Sequence, residues 1–334
     1  MMLSILRFLL FDLPKKLMST YDKILTHPKY GYYSYRPRPE RRKPRIAFFS
    51  IVLNGEPWLK LNIQHIYPYA SQIFIVEGAT RADGKSHYYD GDADGFCTRE
   101  GHSIDDTLGV LTSLKQRDVE NKIRIIKKDR PWNGKTEMCN SFLNLVDAEY
   151  LWQLDVDEFY KEEDIEKIVD YLHIHPETTC VQFYAKYFIG SFDAISVGEF
   201  GNEAGEWNRI FKFSKDVVWQ RHEPPLLVDR KTRVSMDKIV LLDRRKTHSM
   251  GIYMYHYSYV TEKDIVFKER FFGTEGLTDY LRYVRRRIES KAWPVQLTFD
   301  KFRRGDVYLV EFNGVHPEPI QNDLSKLRRL ELSI

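Results

Sequence analysis

Tyr150-Leu151-Trp152-Gln153-Leu154 is followed directly by Asp155-Val156-Asp157-Glu158-Phe159. The apolar run is typical of a buried strand, and acids at positions i and i+2 leave such a strand on one side of the sheet. Ligands of open α/β sheets collect outside the carboxyl ends of strands, and Mg²⁺ or Mn²⁺ takes carboxylate oxygens together with substrate phosphates. The pattern predicts a divalent-cation site at Asp155 and Asp157. The alternative is a solvated turn that caps the helix beginning near Glu162.

The composition is that of a folded protein with a sizeable core. The chain has 334 residues, 43% hydrophobic and 14% aromatic, enough for one large domain or two small ones. Its 51 basic and 48 acidic residues give a net charge of +3, which argues against nucleic-acid binding through overall charge. Cys97, Cys139 and Cys180 lie far apart. Since this spacing forms neither a metal motif nor a disulfide framework, it predicts reduced thiols and a cytoplasmic location.

Residues 1–44 are predicted to form an N-terminal extension. The apolar stretch from Leu3 to Phe11 contains Arg7, is too short to span a bilayer and lacks a convincing cleavage site. Its apolar stripe predicts packing against the protein's own core, with a peripheral membrane contact as the alternative. Tyr30 to Lys43 is rich in Tyr, Pro and Arg, which favours an irregular connection.

From residue 45 onward, apolar strands alternate with amphipathic helices. The pattern predicts strands at 45–53, 72–76, 122–126 and 150–154, and helices at 58–66, 104–119 and 135–146. Strands and helices that alternate in this way predict a mostly parallel sheet covered on both faces. Asp155 and Asp157 then follow the fourth strand of the series.

Four landmarks, in this order, resemble those of GT-A nucleotide-sugar glycosyltransferases, particularly family 2-like and family 17-like enzymes. They are Ser50–Glu56, Ile75–Gly78, Trp132–Glu137 and Leu154–Phe159. The resemblance covers roughly residues 45–260 and implies a GT-A domain, with a Rossmann-like, mostly parallel central sheet flanked by helices. It also implies a nucleoside diphosphate sugar donor, and Mn²⁺ or Mg²⁺ between the donor diphosphate and the Asp-x-Asp element. Residues 261–334 are expected to form a helical, basic C-terminal region.

The same resemblance implies donor-binding residues. Glu77 follows the second strand, where such enzymes often place an acid facing the nucleoside, although that acid is more often Asp. Arg209 lies in Trp207–Phe213, which resembles the strand along the active site, and Asp155 is expected to touch metal or ribose. Lys135 is suited to stabilise the charge of a departing diphosphate. It is equally explained as an exposed lysine in a first helical turn.

A transfer with inversion needs a base to deprotonate the acceptor hydroxyl, normally an Asp or Glu. Glu206, in a loop rich in Gly and Glu, and Glu223, before two prolines, are the candidates. Glu223 is preferred because the prolines stiffen its backbone, and each acid is also explained as a solvated side chain. His222 and Trp219 are predicted to contact the acceptor or a phosphate.

His256 is the third predicted metal ligand. Alternation over residues 252–260 places it on a mixed face of a strand, which is consistent with a hydrogen-bonded core histidine. Many GT-A enzymes supply a late histidine to the metal, so the resemblance implies that His256 joins Asp155 and Asp157. Neutral imidazole suits Mn²⁺.

Two further charged segments have open interpretations. Asp90–Gly95 matches the first half of an EF-hand loop, but position 12 is Gly101, so a loop near the donor pocket with adventitious Ca²⁺ binding is expected. An apolar stripe with arginines crowding the rest of the helix occupies residues 280–288. This pattern fits a solvated basic helix or, if the acceptor is lipid-linked, docking on an anionic membrane.

The predicted function is transfer of one sugar from a nucleoside diphosphate sugar to a glycan or glycolipid, with inversion expected. The alternative is a nucleotidyltransferase or another metal-dependent nucleotide-binding α/β enzyme. A non-catalytic Ca²⁺-binding module is the third class. The sequence contains no Gly-x-x-x-x-Gly-Lys loop, which argues against a Walker-type ATPase.

Overall fold

The structure, a computed structural model, describes residues 42–81, 95–198, 207–302 and 306–333. The stripe at Leu3 to Phe11, the first five residues of the EF-hand-like loop and Glu206 lie outside the described residues. One compact unit extends from Lys43 to Ile334. Residue 260, the predicted end of the GT-A domain, therefore lies within a compact unit.

Strands and helices alternate through the first half of the described chain, as the apolar pattern predicts. The strands are β1 Ile46–Val52, β2 Gln72–Glu77, β3 Ile123–Ile126, β4 Tyr150–Gln153, β5 Glu158–Phe159, β6 Cys180–Phe183, β7 Ala185–Ile189, β8 Ala194–Gly198, β9 Trp207–Lys212, β10 Val217–Arg221, β11 Leu226–Asp229, β12 Leu241–Leu242, β13 Met254–Tyr259, β14 Val295–Gln296 and β15 Val307–Glu311. The helices are α1 Trp58–Ile66, α2 Thr107–Gln116, α3 Lys135–Asn140, α4 Glu162–Ile174, α5 Arg244–Ser249, α6 Glu262–Phe272, α7 Leu277–Glu289 and α8 Glu318–Leu327.

The central sheet has the strand order β12-β6-β9-β4-β1-β2-β3. Its pairings are parallel except where β9 runs antiparallel to β4 and β6, so the sheet is mostly parallel, as predicted. Helices cover both faces, and this explains why β1 is apolar at every position except Ser50, whose buried hydroxyl donates to the carbonyl of Leu154. Phe48 packs into the core on one face, whereas Phe49 packs into the core on the other.

Aromatic side chains fill both layers of the core. On one face, the Trp152 ring stacks on Phe48 with centroids 5.0 Å apart and meets the edge of Tyr160 at 5.0 Å. On the other face, Phe49 packs against Phe142 at 4.9 Å and Trp219 at 5.5 Å. The strand that leads into Asp155 and Asp157 is therefore anchored by large buried rings.

A second sheet, not predicted from the sequence, has the order β14-β15-β8-β7-β13-β5. Tyr184 separates β6, which lies in the central sheet, from β7, which lies in the second sheet. β15 pairs antiparallel with β8, so the C-terminal region contributes strands as well as helices.

The C-terminal helices α6 and α7 lie within residues 261–334, the region that is predicted to be helical. Thr261 caps α6 by accepting a hydrogen bond from the backbone N–H of Asp264, and Gly273 ends it at φ 59°. None of the helices in the described ranges has the length and apolar character needed to cross a bilayer.

Helix α3 is shorter than the predicted helix over 135–146. It ends at Asn140, whose side-chain amide donates to the backbone carbonyls of Thr136 and Trp219. A 3-10 turn over Leu143–Leu145 follows. The hydrogen bond from the Asn140 side chain to the backbone of β10 favours an end of the helix at this residue. The apolar pattern of the sequence does not reveal this contact.

We expect Trp152→Ala to lower the free energy of unfolding by about 3–5 kcal/mol, because it leaves a cavity between the ring of Phe48 and that of Tyr160. Chemical denaturation followed by circular dichroism measures this change. Val119→Ala is the control, since Val119 is 89% exposed and its truncation should change stability by less than about 0.5 kcal/mol. Equal effects of the two substitutions would contradict the assignment of Trp152 to the core.

Candidate active site

The candidate site lies where the chain passes from the central sheet to the second sheet. β4 runs parallel to β1 and ends at Gln153, and β5 begins at Glu158 in the second sheet. Asp155 and Asp157 occupy the short connection. Parallel strands present their carboxyl ends at the same edge, so these acids lie at the edge where ligands of α/β sheets bind.

Asp157 faces the second sheet and is held by two basic side chains. Its Oδ1 lies 3.4 Å from Nε2 of His256, and its Oδ2 lies 3.2 Å from Nζ of Lys268. The Lys268 ammonium also donates to the carbonyl of Ser258 at 2.5 Å and to its hydroxyl at 2.7 Å. The register of β5 against β13 produces this cluster, because it sets Glu158 opposite His256.

The surroundings of Asp157 keep its carboxyl group ionised. Burial acts to raise the pKa of Asp157, but the charges of Lys268 and His256 outweigh it and hold the pKa well below its usual range. The carboxylate is therefore available as an anionic ligand throughout the physiological pH range.

Asp155 faces the central sheet instead. Its Oδ2 lies 3.9 Å from Nη2 of Arg209, and its Oδ1 lies 3.9 Å from Nε2 of His222. Its side chain is 34% exposed, more than twice the 14% of Asp157. Asp155 is thus the more accessible acid of the two.

A donor-binding arginine would be accessible from the cleft, but the side chain of Arg209 is only 3% exposed. It forms a bidentate pair with Glu158, with Nε to Oε2 at 2.8 Å and Nη2 to Oε1 at 2.5 Å. Both side chains are almost completely buried. Burial alone would lower the pKa of Arg209, but the paired Glu158 raises it. The structure therefore gives Arg209 a positioning role beside Asp155 rather than the predicted contact with the donor.

His222 lies beside Asp155 in a neutral form. Burial lowers the pKa of His222 to about 4. The Gln153 amide nitrogen lies 3.2 Å from Nε2 of His222, which suits donation to a neutral imidazole. Nδ1 of His222 is buried and has no hydrogen-bond partner among the described residues.

Lys135 and Glu223 meet at the rim of the site. Lys135 begins α3, and its Nζ lies 3.5 Å from Oε2 of Glu223. The Glu223 side chain is 74% exposed, so an acceptor can reach it. Burial is the main reason why the pKa of Tyr259 is raised, and the charges of Glu223 and Asp157 add to the shift.

The carboxylate of Glu77 does not face the cleft. It is fully buried and accepts hydrogen bonds from the backbone N–H and hydroxyl of Ser103 at 2.7 and 2.9 Å. Nδ1 of His102 lies 2.8 Å from its other oxygen. These contacts give Glu77 a role in holding the chain at residues 102–103, in place of the predicted contact with the nucleoside.

Trp219 is a core residue and does not line the cleft. Its ring is 1% exposed and packs on Phe49 and Phe211 in the core. Val217 is buried beside it, whereas Gln220 is exposed. The alternation in β10 thus places the Trp219 ring on the inner face, so it does not contact an acceptor or a phosphate.

Two functional features were missed by the sequence reasoning. Lys268 comes from α6, and no motif links this lysine to an acid more than a hundred residues earlier. The pair between Glu158 and Arg209 was also missed, although a signal existed. An acid inside a hydrophobic pattern needs a buried partner, and Arg209 lies in the apolar run of β9.

The predicted metal ligands are brought together only in part. Asp157 and His256 converge, and a carboxylate with an imidazole is a donor set that suits Mn²⁺. In the described part of the chain, no set of three ligand atoms within 4.8 Å of one another includes both residues. Asp155 therefore stands apart from the Asp157 and His256 pair. Such a pair still fits Mn²⁺ or Mg²⁺, because these ions commonly take few protein ligands and complete their shell with phosphates and water.

Residues 100–229 match the sequence model of Glycosyl transferase family 2. The matched segment is less than half of the chain and contains Asp155, Asp157, Arg209, His222 and Glu223. The mostly parallel sheet flanked by helices agrees with the predicted GT-A fold, and this match shows that residues 100–229 resemble glycosyltransferases. Its family resemblance is to glycosyltransferase family 2, which confirms the resemblance seen in the sequence.

No curated protein gives a significant sequence match. The chain is similar to three solved structures, each with low identity. S. aureus TarS 1-349 has 10% identity over 72% of this chain and 64% of that chain, with a TM-score of 0.38. Mannosyltransferase PcManGT from Pyrobaculum calidifontis, in complex with GDP-Man and Mn²⁺, has 13% identity over 94% and 76%, with a TM-score of 0.39.

The third is glucosyl-3-phosphoglycerate synthase from Mycobacterium tuberculosis, in complex with Mn²⁺, UDP and glucosyl-3-phosphoglycerate. It has 15% identity over 44% of this chain and 50% of that chain, with a TM-score of 0.29. The chain spans less than two thirds of two TarS structures, 64% of one and 39% of the other. With TM-scores below 0.5, these similarities carry no argument about function.

The depressed pKa of His222 predicts a loss of stability in acid. Histidine in an unfolded chain titrates near pH 6.5, so the unfolded state binds this proton more readily than the folded state. The contribution of neutral His222 is fully present above about pH 6.5 and is lost as the pH falls to about 4. The unfolding free energy of the wild type should fall between pH 6.5 and pH 4. In His222→Gln this fall should be smaller by about 3 kcal/mol, because the variant has no imidazole to protonate at this position.

Denaturant titrations at several pH values measure that difference. His316→Gln is the matched control, because burial also lowers the pKa of His316 to about 4, and His316 lies outside the candidate site. It should change the pH dependence to a similar extent without altering ligand binding in the cleft. A wild-type pH dependence in His222→Gln would show that His222 is not buried in its neutral form.

Proposed function

We propose that the protein transfers a sugar from a nucleoside diphosphate sugar to a glycan or lipid-linked acceptor. The observation that carries the proposal is the position of Asp157, directly after a central strand and between His256 and Lys268. A carboxylate and an imidazole that can hold a cation, together with an ammonium, suit the binding of a diphosphate at the carboxyl edge of a GT-A sheet.

Two lysines are placed to act on the leaving group. Lys268 contributes positive charge beside Asp157 and is only 19% exposed, so its field is weakly screened by solvent. Lys135 contributes charge at the rim, where its partner Glu223 is accessible. Charge develops on the diphosphate as the glycosidic bond breaks, and fixed cations stabilise that charge more in the transition state than in the ground state.

We infer that Asp157 and His256 hold Mn²⁺ or Mg²⁺. When bound, the ion supplies further charge stabilisation to the diphosphate oxygens. Asp155 remains a candidate for the metal or the donor ribose, since its carboxylate is accessible and has only long contacts to Arg209 and His222. The Lys268 ammonium and a metal ion compete for the carboxylate of Asp157. When the ion binds, the ammonium therefore gives up its contact with Asp157 and keeps its hydrogen bonds to Ser258.

Glu223 is the preferred base. Its exposed carboxylate lies at the rim beside Lys135, where an acceptor hydroxyl can approach from solvent. Glu206 remains the second candidate. Neutral His222 lies deeper, and its unpartnered Nδ1 is suited to orient the acceptor or a phosphate. A base on the acceptor side and cations on the donor side correspond to transfer with inversion.

A peripheral membrane contact through α7 is part of the proposal if the acceptor is lipid-linked. Arg282 is paired with Asp279 and Glu262, whereas Arg286 and Arg287 are exposed. Exposed arginines on an amphipathic helix can bind anionic headgroups. A cytoplasmic location is also proposed, and it is supported by the three buried free cysteines.

The proposed activity is tested with a panel of nucleotide sugars that includes UDP-GlcNAc and GDP-Man. UDP-GlcNAc is bound in one TarS structure and GDP-Man in PcManGT. Donor turnover with Mn²⁺ is followed by release of the nucleoside diphosphate, first without an acceptor and then with glycans and lipid-linked glycans. Absence of both donor binding and turnover across the panel would contradict the proposal.

Asp157→Asn should lower Mn²⁺-dependent turnover at least about 100-fold, because it removes an anionic ligand while keeping the size of the side chain. His256→Gln should weaken the apparent Mn²⁺ affinity by about 10- to 100-fold. The control is Asp170→Asn, an exposed substitution on α4. Normal Mn²⁺ dependence in Asp157→Asn would remove the proposed ligand. Early unfolding with normal Mn²⁺ affinity in His256→Gln would identify a core histidine.

Glu223→Gln should lower transfer to the acceptor by about 10²- to 10⁴-fold while donor binding is retained, because it removes the base without removing a donor contact. Lys135→Gln is the matched variant, since Lys135 is the ion-pair partner of Glu223 and its loss should weaken donor binding as well. Steady-state kinetics with both substrates varied separates the two effects. If Glu223→Gln transfers sugar normally, Glu206→Gln becomes the variant to test.

A further inference from the structure

A second group of metal-ligating side chains involves none of the candidate active-site residues. It consists of His65 on α1, Glu162 at the start of α4 and Glu318 at the start of α8. One ligand atom from each residue lies within 4.8 Å of the other two. The three residues are far apart in the sequence, so the fold itself brings them together.

The His65 ring is buried and fixed in one tautomer. The side chain is only 8% exposed, and its Nε2 lies 2.7 Å from the carbonyl oxygen of Tyr160. A carbonyl only accepts, so Nε2 carries the hydrogen and the lone pair of the neutral ring is on Nδ1. Metal-binding histidines commonly donate the other ring N–H to a backbone carbonyl in this way. Burial also lowers the pKa of His65, which favours the neutral ring that a metal requires.

The two glutamates converge without a basic partner. Oε2 of Glu318 accepts a hydrogen bond from the backbone N–H of Glu162 at 3.2 Å. In the ranges that the structure describes, neither carboxylate forms an ion pair with a lysine or arginine. Two carboxylates this close repel each other. Their positions in first helical turns stabilise each acid separately, but do not explain why both point towards a buried histidine.

We propose that His65, Glu162 and Glu318 bind a divalent transition-metal cation, with Zn²⁺ as the best match. One neutral imidazole and two carboxylates form a three-ligand set that Zn²⁺ accepts, with water in the remaining position. The bound cation offsets the repulsion between the two acids. It also joins α1, α4 and α8, so it links the C-terminal helix to the helices that flank the central sheet. This site is independent of the proposed sugar transfer.

Calorimetric titration of the full chain with ZnCl₂, after chelator treatment and without nucleotide, tests the proposal. Glu162→Gln/Glu318→Gln should weaken Zn²⁺ binding at least about 100-fold, since it removes both anionic ligands. The control is Glu163→Gln, an exposed neighbour in the same first turn of α4, which should bind Zn²⁺ like the wild type. The Asp157→Asn variant should keep the Zn²⁺ binding event that the double substitution removes, even where Zn²⁺ also occupies the candidate active site of the wild type, and this separates the two sites.

Thermal unfolding provides the second measurement. Zn²⁺ at 100 times its Kd should raise the Tm of the wild type by roughly 5 °C, and the rise should be absent in the double variant. The glutamates lie at the surface, so the double variant is expected to fold. Failure of the wild type to bind Zn²⁺, or equal binding by the wild type and the double variant, would overturn the proposal. Loss of binding in Asp157→Asn alone would assign the ion to the active site instead.

Discussion

The buried pair between Arg209 and Glu158 is the interaction that holds the two sheets in register. Arg209 belongs to β9 of the central sheet, and Glu158 belongs to β5 of the second sheet. Two short hydrogen bonds join them in a region almost without solvent access. Removal of one partner would leave an isolated charge in the interior, at a cost of about 3–5 kcal/mol. The pair therefore fixes where the chain can cross from one sheet to the other.

This crossing explains why the two acids of the Asp-x-Asp element have different surroundings. The connection from β4 to β5 turns Asp155 towards Arg209 and His222, and Asp157 towards His256 and Lys268. One acid is thus associated with each sheet. A single strand followed by acids at i and i+2 predicts that both face the same side. That expectation holds only while the chain stays extended, and here it leaves the strand after Gln153.

The central sheet can be predicted well from the sequence, because the patterns that indicate it lie within short segments of the chain. Continuous apolar runs, helix periodicity and the position of the acids after the fourth strand all come from short segments, and the structure confirms them. The second sheet rests on pairings such as β8 with β15, which join residues far apart in the chain. The burial of Glu77 depends likewise on His102 and Ser103. Trp219 was predictable, because alternation in β10 already places it with Val217.

The contact between Asp157 and Lys268 also sets an order of events during synthesis. Asp157 and the central sheet strands before it leave the ribosome more than a hundred residues ahead of Lys268. The edge of β8 waits longer still, until β15 has been made and can pair with it. A nascent chain can therefore contain a nearly complete central sheet before Lys268, which lies beside Asp157 at the carboxyl edge of that sheet, has been made. Until Lys268 has been made, Asp157 lacks its lysine partner, and until β15 has been made, the exposed edge of β8 is open to pairing with other chains.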